Sequence, residues 1–332
     1  VDALQRRIGV TRVARVTGLD RCGVEVACAV RPLGHVLQVS NGKGESWEAA
    51  RASALSEAAE LWAAERVSQP ELVYGAAAEL RDAWEPIDVP VPRLWSRATR
   101  IAWRRGRDLA TRREVLVPAQ LVHCPPRGAP SLGPLSLRWT SNGMGAHPRP
   151  GPALRHALLE LIERDQLARA LPQGWTPRAI SRLKLDATRV LLWRRLRDAG
   201  FEAHVFDLSG ALPVAGAILV DLEEGSIPVT AGYACGLTPG EAVQGALLEA
   251  AQSRLTDVHG AREDVVPPDR AAMRSLRQAC ERANARRTLG DMPRARDVRA
   301  ALRGRVAVVE LAREPLHVVK VVAPAMKLSG LL

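Results

Sequence analysis

Ala54-Leu55-Ser56-Glu57-Ala58-Ala59-Glu60 is a phrase that the chain writes three times. The second copy is Ala157-Leu158-Leu159-Glu160-Leu161-Ile162-Glu163 and the third Ala246-Leu247-Leu248-Glu249-Ala250-Ala251-Gln252. All read Ala-Leu-x-Glu-x-x-Glu/Gln, in helix-forming company. Each follows a glycine-bearing stretch, namely Gly42-Lys43-Gly44, Gly143-Met144-Gly145 and Gly232 to Gly236. The copies are far too widely spaced for a solenoid. They read instead as corresponding parts of larger strand–helix units that converge on one place. The expected fold class is α/β in the broad α+β sense, with mixed and antiparallel sheets and three related glycine-turn–helix units around a central site.

Residues three or four apart share one helix face. Glu57 and Glu60 therefore point the same way, as do Glu160 and Glu163, and Ser53 and His156 extend those stripes one turn earlier. Ala54, Ala58 and Leu61 in the first copy, and Ala157 and Leu161 in the second, form an apolar stripe alongside. Each helix is expected to lie on a core with its acidic edge facing a shared cavity. Carboxylates aimed at one cavity repel one another unless a cation or protons intervene. Oxygen ligands without histidine or cysteine company favour magnesium, which binds a few carboxylates together with substrate phosphates. Glycine turns ahead of the helices would let backbone N–H groups approach those phosphates. The combination reads as a nucleotide site, whereas a single Glu pair of this spacing would be read as a solvated helix face.

These same stretches carry a resemblance. "GKGESWEAARASALSEAAE", "SNGMGAHPRPGPALRHALLELIERD" and "GYACGLTPGEAVQGALLEAAQSR" are similar to the three signature regions of YcaO-domain proteins, and the resemblance runs from about Thr11 to Pro324. It implies a YcaO-type fold over one domain spanning 1–332, and use of ATP to activate a backbone amide oxygen, giving azolines, thioamides or amidines. It places Glu160, Glu163 and Arg164 at the nucleotide and its magnesium ions. The candidate metal ligands are thus Glu57, Glu60, Glu160 and Glu163. The candidate ATP ligands are Lys43, Ser53, Asn142, Arg164, Glu249, Gln252 and Arg254. Gln252 in place of a second carboxylate limits charge in the cavity and keeps an amide for the nucleotide. Arg164 is open to two roles, neutralising phosphate or pairing with Asp165. No residue stands out as a general base.

The wording "GVTRVARVTGLDRCGVEVACAVRP" resembles the branch that travels with TfuA proteins, for which the implied product is a thioamide made with an external sulfur donor. Azoline-forming members often end in a Pro-x-Pro-x-Pro tail, and Pro324-Ala325-Met326-Lys327-Leu328-Ser329-Gly330 departs from it. A close rival is the same activation with a Ser, Thr or Cys side chain attacking, as in a cyclodehydratase. From a different class, a non-catalytic ATP-binding accessory protein also fits. The expected partners are a peptide or protein substrate and a TfuA-like or leader-recognition protein, with a homodimer left open.

With 332 residues, 47% of them hydrophobic, the chain can bury a substantial core. It has no apolar run of transmembrane length, and "VDALQRRIGVTRV" lacks the apolar segment of a signal peptide, so a cytoplasmic protein is expected. Its net charge is +11, but the arginines are scattered among acids and aromatics are only 4%, which leaves little for base stacking. An acidic peptide suits the charge as well as nucleic acid does. Lys43, Lys184, Lys320 and Lys327 are the only lysines, and Lys43 falls between two glycines where a compact ammonium can reach phosphate. The five cysteines match neither a disulfide framework nor a zinc site. Cys235, in the third glycine stretch, is open to two readings, a thiol that meets substrate and, favoured over it, a small buried thiol.

Residues 8–40 read as strands of a meander feeding the first glycine turn. Ser46 caps the first helix, Pro152 opens the second, and Thr238, Pro239 and Glu241 make a capping box for the third. Residues 70–135 read as a segment that shapes the substrate side or packs its tryptophans (Trp84, Trp95, Trp103, with Trp139 nearby), with "REVLVPAQLVHCP" as a strand. Residues 183–234 read as a helix and three strands. Residues 261–304 form an arginine-rich, helix-prone segment broken at Pro267-Pro268 and read as a solvated face, and "RVAVVEL" and "LHVVKVVAP" close the fold as strands.

Overall fold

The computed structural model describes residues 2–84, 96–172, 175, 181–186, 190–223, 225–264, 270–283 and 285–328. Helix α1 (Asp2–Ile8) precedes a meander of β1 (Arg12–Arg15), β2 (Glu25–Val30) and β3 (Val39–Gly44), which leads into the long helix α2 (Trp47–Glu65). Next come β4 (Leu72–Ala76), β5 (Arg100–Asp108), β6 (Glu114–Pro118), the short α3 (Ala119–Val122), β7 (Met144–His147) and the second long helix, α4 (Pro150–Ala170). The third unit holds β8 (Ser181–Leu183), α5 (Leu191–Asp198), β9 (Phe201–Asp207), β10 (Val214–Asp221), β11 (Val229–Cys235) and the long α6 (Pro239–His259). Helix α7 (Arg270–Arg282), β12 (Ala285–Arg287), β13 (Ala307–Ala312) and β14 (His317–Val322) complete the described chain.

Three sheets result, ordered β1-β2-β3, β11-β10-β9-β8-β12, and β4-β5-β13-β14-β7 with β6 also on β5. Among the described residues every pairing between these strands is antiparallel except β8 with β12. The expected mixed α/β architecture is what the chain adopts. Residues 70–135 contribute β4, β5 and β6 to the largest sheet. Trp84 and Trp103 are buried there, and the Trp103 Nε1–H donates to the Gly75 carbonyl at 3.0 Å. Trp95 and Pro267-Pro268 lie outside the described residues. The run from Arg113 is strand only to Pro118; Pro has no N–H with which to extend a ladder, and the chain turns into α3.

Each long helix lies on the strand that precedes it, α2 on β3, α4 on β7 and α6 on β11, and also on the strand of the next unit: α2 on β7, α4 on β11, α6 on β3. The three units therefore close into a ring. The repeated glycines and alanines set how near each helix comes. A Cβ on Gly42 would stand 2.1 Å from the Ala54 nitrogen, one on Gly145 2.2 Å from the Ala153 oxygen, and one on Gly232 2.1 Å from the Ala250 nitrogen. These glycines lie within strands, so their main role is close strand–helix packing rather than turning. Gly143 is a true turn residue, with φ +76°, a conformation that favours glycine.

The helix starts follow local chemistry. The Ser46 Oγ accepts from the Ala49 N–H and the Thr238 Oγ1 from the Glu241 N–H. The Glu241 carboxylate accepts from the Leu237 N–H instead of closing a capping box. Helix α4 begins at Pro150, two residues before the proline expected to open it. Among the described residues no helix is long and apolar enough to cross a membrane.

Candidate nucleotide and metal site

Strands β3, β7 and β11 are edge strands of their sheets. An edge strand carries backbone N–H groups with no ladder partner, and here the repeated glutamates take them. The Asn41 N–H donates to Glu57 Oε2 at 2.9 Å, the Gly143 N–H to Glu160 Oε1 at 3.2 Å, and the Tyr233 N–H to Glu249 Oε1 at 3.4 Å. Glu57 and Glu249 thus cap the strands of their own units, and Glu160 the turn that leads into β7. The second glutamate of a copy reaches the next unit: the Cys235 N–H donates to Glu163 Oε2 at 3.2 Å, and the Ala146 N–H donates to Glu60. Where the ring closes, between α6 and β3, the corresponding residue is the neutral Gln252.

This geometry brings the candidate carboxylates together. Burial, followed by repulsion from Glu160 and Glu57, holds the Glu60 carboxyl well above the usual carboxylate range. Burial and then Glu249 push Glu163 up to about 8. Burial also raises Glu57, against the opposing pull of Arg262, the Asn41 N–H and Lys43. Lys43 closes the circuit. Its Nζ lies 2.5 Å from Glu249 Oε2, and although burial disfavours its charge, Glu249, Glu163 and Glu57 hold its pKa above that of an ordinary lysine.

The other candidates divide. Asn142 is buried with its Oδ1 unpartnered among the described residues, and the buried Arg164 Nε is likewise unpartnered. Arg164 acts on Glu163, whereas Asp165 is taken by Arg169 and Arg303. Ser53 and Gln252 are half-buried on their helices, and His156 is exposed. Arg254 does not join the group. Its Nε donates to Asp20 and one terminal nitrogen to Asp221, both at 2.9 Å, and another donates to the Ile227 carbonyl. Residues two apart do not share a helix face, so an arginine two places after Gln252 leaves the ring side and becomes a buried structural anchor. Burial pushes the Cys235 thiol far up, with Glu163 adding to it, consistent with an inert thiol.

Two cations escaped the sequence reading. Lys320, in the middle of the apolar strand β14, is buried and donates to the Thr140 and Asn142 carbonyls at 2.6 and 2.5 Å. Burial lowers its pKa to about 7, against the pull of Glu160 and Glu60. Its one sequence signal was a lysine inside a run of valines in a lysine-poor chain. Arg262, in the stretch read as a solvated face, stands 3.7 Å from Glu57. Nothing local distinguishes it from its arginine neighbours.

Mutually repelling, partly protonated carboxylates with an orphaned amide oxygen and guanidinium nitrogen fit a metal-bound polyphosphate. Among the described residues no group of three or more His, Cys, Asp or Glu side chains is placed to hold a metal ion. Magnesium takes one or two carboxylates and fills its remaining positions with water and phosphate oxygens.

Residues 41–327 match the protein-family model described as YcaO cyclodehydratase, ATP- and Mg2+-binding. An uncharacterized protein of Methanothermobacter thermautotrophicus is 33% identical over 277 residues, 78% of this chain and 69% of that protein. A Rhizobium leguminosarum bv. trifolii protein, described as an uncharacterized protein in the tfuA 3′ region, is 33% identical over 304 residues, 83% of this chain and 70% of its own length. Among solved structures, YcaO from Methanopyrus kandleri bound with AMPPCP and Mg2+ superposes with a TM-score of 0.78 at 24% identity, covering 98% of this chain and 88% of that one. A heterocyclase in complex with substrate and cofactor gives 0.75 at 19%, covering 98% and 52%. At these identities the structural likeness is one of fold.

Proposed function

The chain belongs to the YcaO family, and on that premise we propose that it uses ATP and magnesium to phosphorylate the oxygen of a peptide backbone amide. The observation that carries this is the ring of Glu57, Glu60, Glu160, Glu163 and Glu249 closed on Lys43. Glu57, Glu60, Glu160 and Glu163 would hold magnesium ions, one or two carboxylates to each, while Lys43, Ser53, Asn142, Arg164, Glu249 and Gln252 would hold the nucleotide. When bound, magnesium-ATP supplies the phosphoryl group that turns the amide oxygen into a leaving group. The chain's own contribution is to position the reactants and to place Lys43 and Arg164 where phosphate charge accumulates.

For the product we propose a thioamide, in which an external sulfur nucleophile takes the place of the departing oxygen. A relative in a tfuA 3′ region supports this and favours a TfuA-like partner. The second reading, azoline formation by a neighbouring side chain, is favoured by the cyclodehydratase description of the matching family. Candidate peptides incubated with the protein, magnesium-ATP and sulfide separate the two by mass, since thioamidation adds about 16 Da and cyclodehydration removes about 18 Da per site, both driven by phosphoryl transfer. Nucleotide binding without peptide-dependent phosphate release would point to an accessory protein instead.

A further inference from the structure

We infer that Arg262 is a further phosphate-binding residue, which together with Lys43 receives the anionic end of a nucleoside polyphosphate where α6 meets β3. This deepens the nucleotide reading above and rests on it. The ring is not electrically uniform. At the α2–β7 and α4–β11 junctions the second residue of the repeat is a carboxylate, Glu60 or Glu163, capping the next strand. At the third junction it is Gln252, and cations gather there instead.

The backbone delivers Arg262 to that place. Helix α6 ends on Gly260, whose φ of +58° turns the chain back. The returning loop is fastened to the approach to β3, where the Gln38 N–H donates to Glu263 Oε1 at 2.7 Å. Asp264 engages the Arg262 Nε and one terminal nitrogen at 2.7 and 3.0 Å. The other terminal nitrogen is the one that faces Glu57, at 3.7 Å. That separation is too long for a hydrogen bond, so the guanidinium is aimed and braced but loosely engaged. Its side chain is 24% exposed, and Lys43 acts on the same Glu57.

An anion belongs where Lys43 and Arg262 stand, each already drawn to carboxylates, and metal ions at the junctions closed by Glu60 and Glu163. A cation bound by Glu57 would relieve that carboxylate of its need for Arg262. The terminal nitrogen that faces Glu57, with Asp264 still holding the rest of the guanidinium, would then turn to a phosphate oxygen, where charge-assisted bonds are strongest.

Calorimetric titration of the full chain with magnesium-ATP, magnesium-ADP and AMP tests this. Arg262→Ala should weaken ATP by about tenfold or more, the scale of one hydrogen bond to a charged group, ADP by less, and AMP by no more than about twofold. Arg262→Lys should recover part of the loss. Equal weakening of all three nucleotides would reduce Arg262 to a structural brace and overturn the inference, as would no weakening at all. Glu163→Gln separates the two levels. If it abolishes metal-dependent binding while Arg262→Ala binds as wild type, only the present inference falls; if the wild-type chain binds no nucleotide, both fall.

Discussion

Replacing Glu163 by glutamine tests the electrostatics of the ring directly, because the amide keeps the shape and can still accept from the Cys235 N–H. The Glu163 carboxyl is raised from 4.5 to about 8 in the fold. Below pH 4.5 both folded and unfolded chains carry the proton, and nothing is lost. Between 4.5 and 8 the unfolded chain ionises while the folded one keeps its proton, so stability falls as pH rises. Above 8 the loss is complete. At about 1.4 kcal/mol per pKa unit the ceiling is about 5 kcal/mol. The side chain is only half-buried in surface terms, so solvent screening reduces the working figure to about 2 kcal/mol. Glu163→Gln should thus be as stable as wild type at pH 5 and about 2 kcal/mol more stable at pH 8.5 by urea unfolding. The same variant should lose metal-dependent nucleotide binding. In wild type, magnesium-nucleotide affinity should rise with pH up to about 8, because binding must displace the Glu163 proton. A glutamine variant that is less stable than wild type at pH 8.5, or that still binds magnesium-ATP normally, would refute this reasoning.

Further outcomes follow from other parts of the molecule. Gly145→Ala puts a Cβ 2.2 Å from the Ala153 oxygen and should cost about 3 kcal/mol in chemical denaturation by overpacking, while an alanine at the open Gly151 should be tolerated. Arg254→Ala strands Asp20 and leaves Asp221 with Arg21 alone, and should destabilise by about 3 kcal/mol, whereas the folded fraction retains nucleotide affinity; a specific loss of affinity would return Arg254 to the site. Lys320 is held at about 7 against an ordinary 10.5, so its contribution to stability is present at high pH and lost as pH falls through 7. Lys320→Met should therefore flatten the rise in wild-type stability between about pH 7 and 10.5, measured by unfolding at several pH values.

Much of this protein is written locally. Periodicity marked α2, α4 and α6, the i, i+3 spacing put two acids on one face, and the serine and threonine caps set where α2 and α6 begin. The apolar runs of residues 201–235, set off by the glycine after the helix and by tight turns, gave β9, β10 and β11. The glycine stretches were visible, yet their role was not. Whether Gly42 bends the chain or admits Ala54 depends on a helix backbone that arrives only after the unit has folded.

The sequence by itself determined that three acid-edged helices of one kind exist. Tertiary structure decided that they close a ring, that each second acid caps a strand of the next unit, that Lys320 and Arg262 enter while Arg254 leaves, and that burial and mutual repulsion raise the carboxyls of Glu60 and Glu163. Spacing along a helix depends on neighbours four residues away, but edge N–H groups, burial and charge are set by residues brought together from distant parts of the chain. No local pattern carries that information.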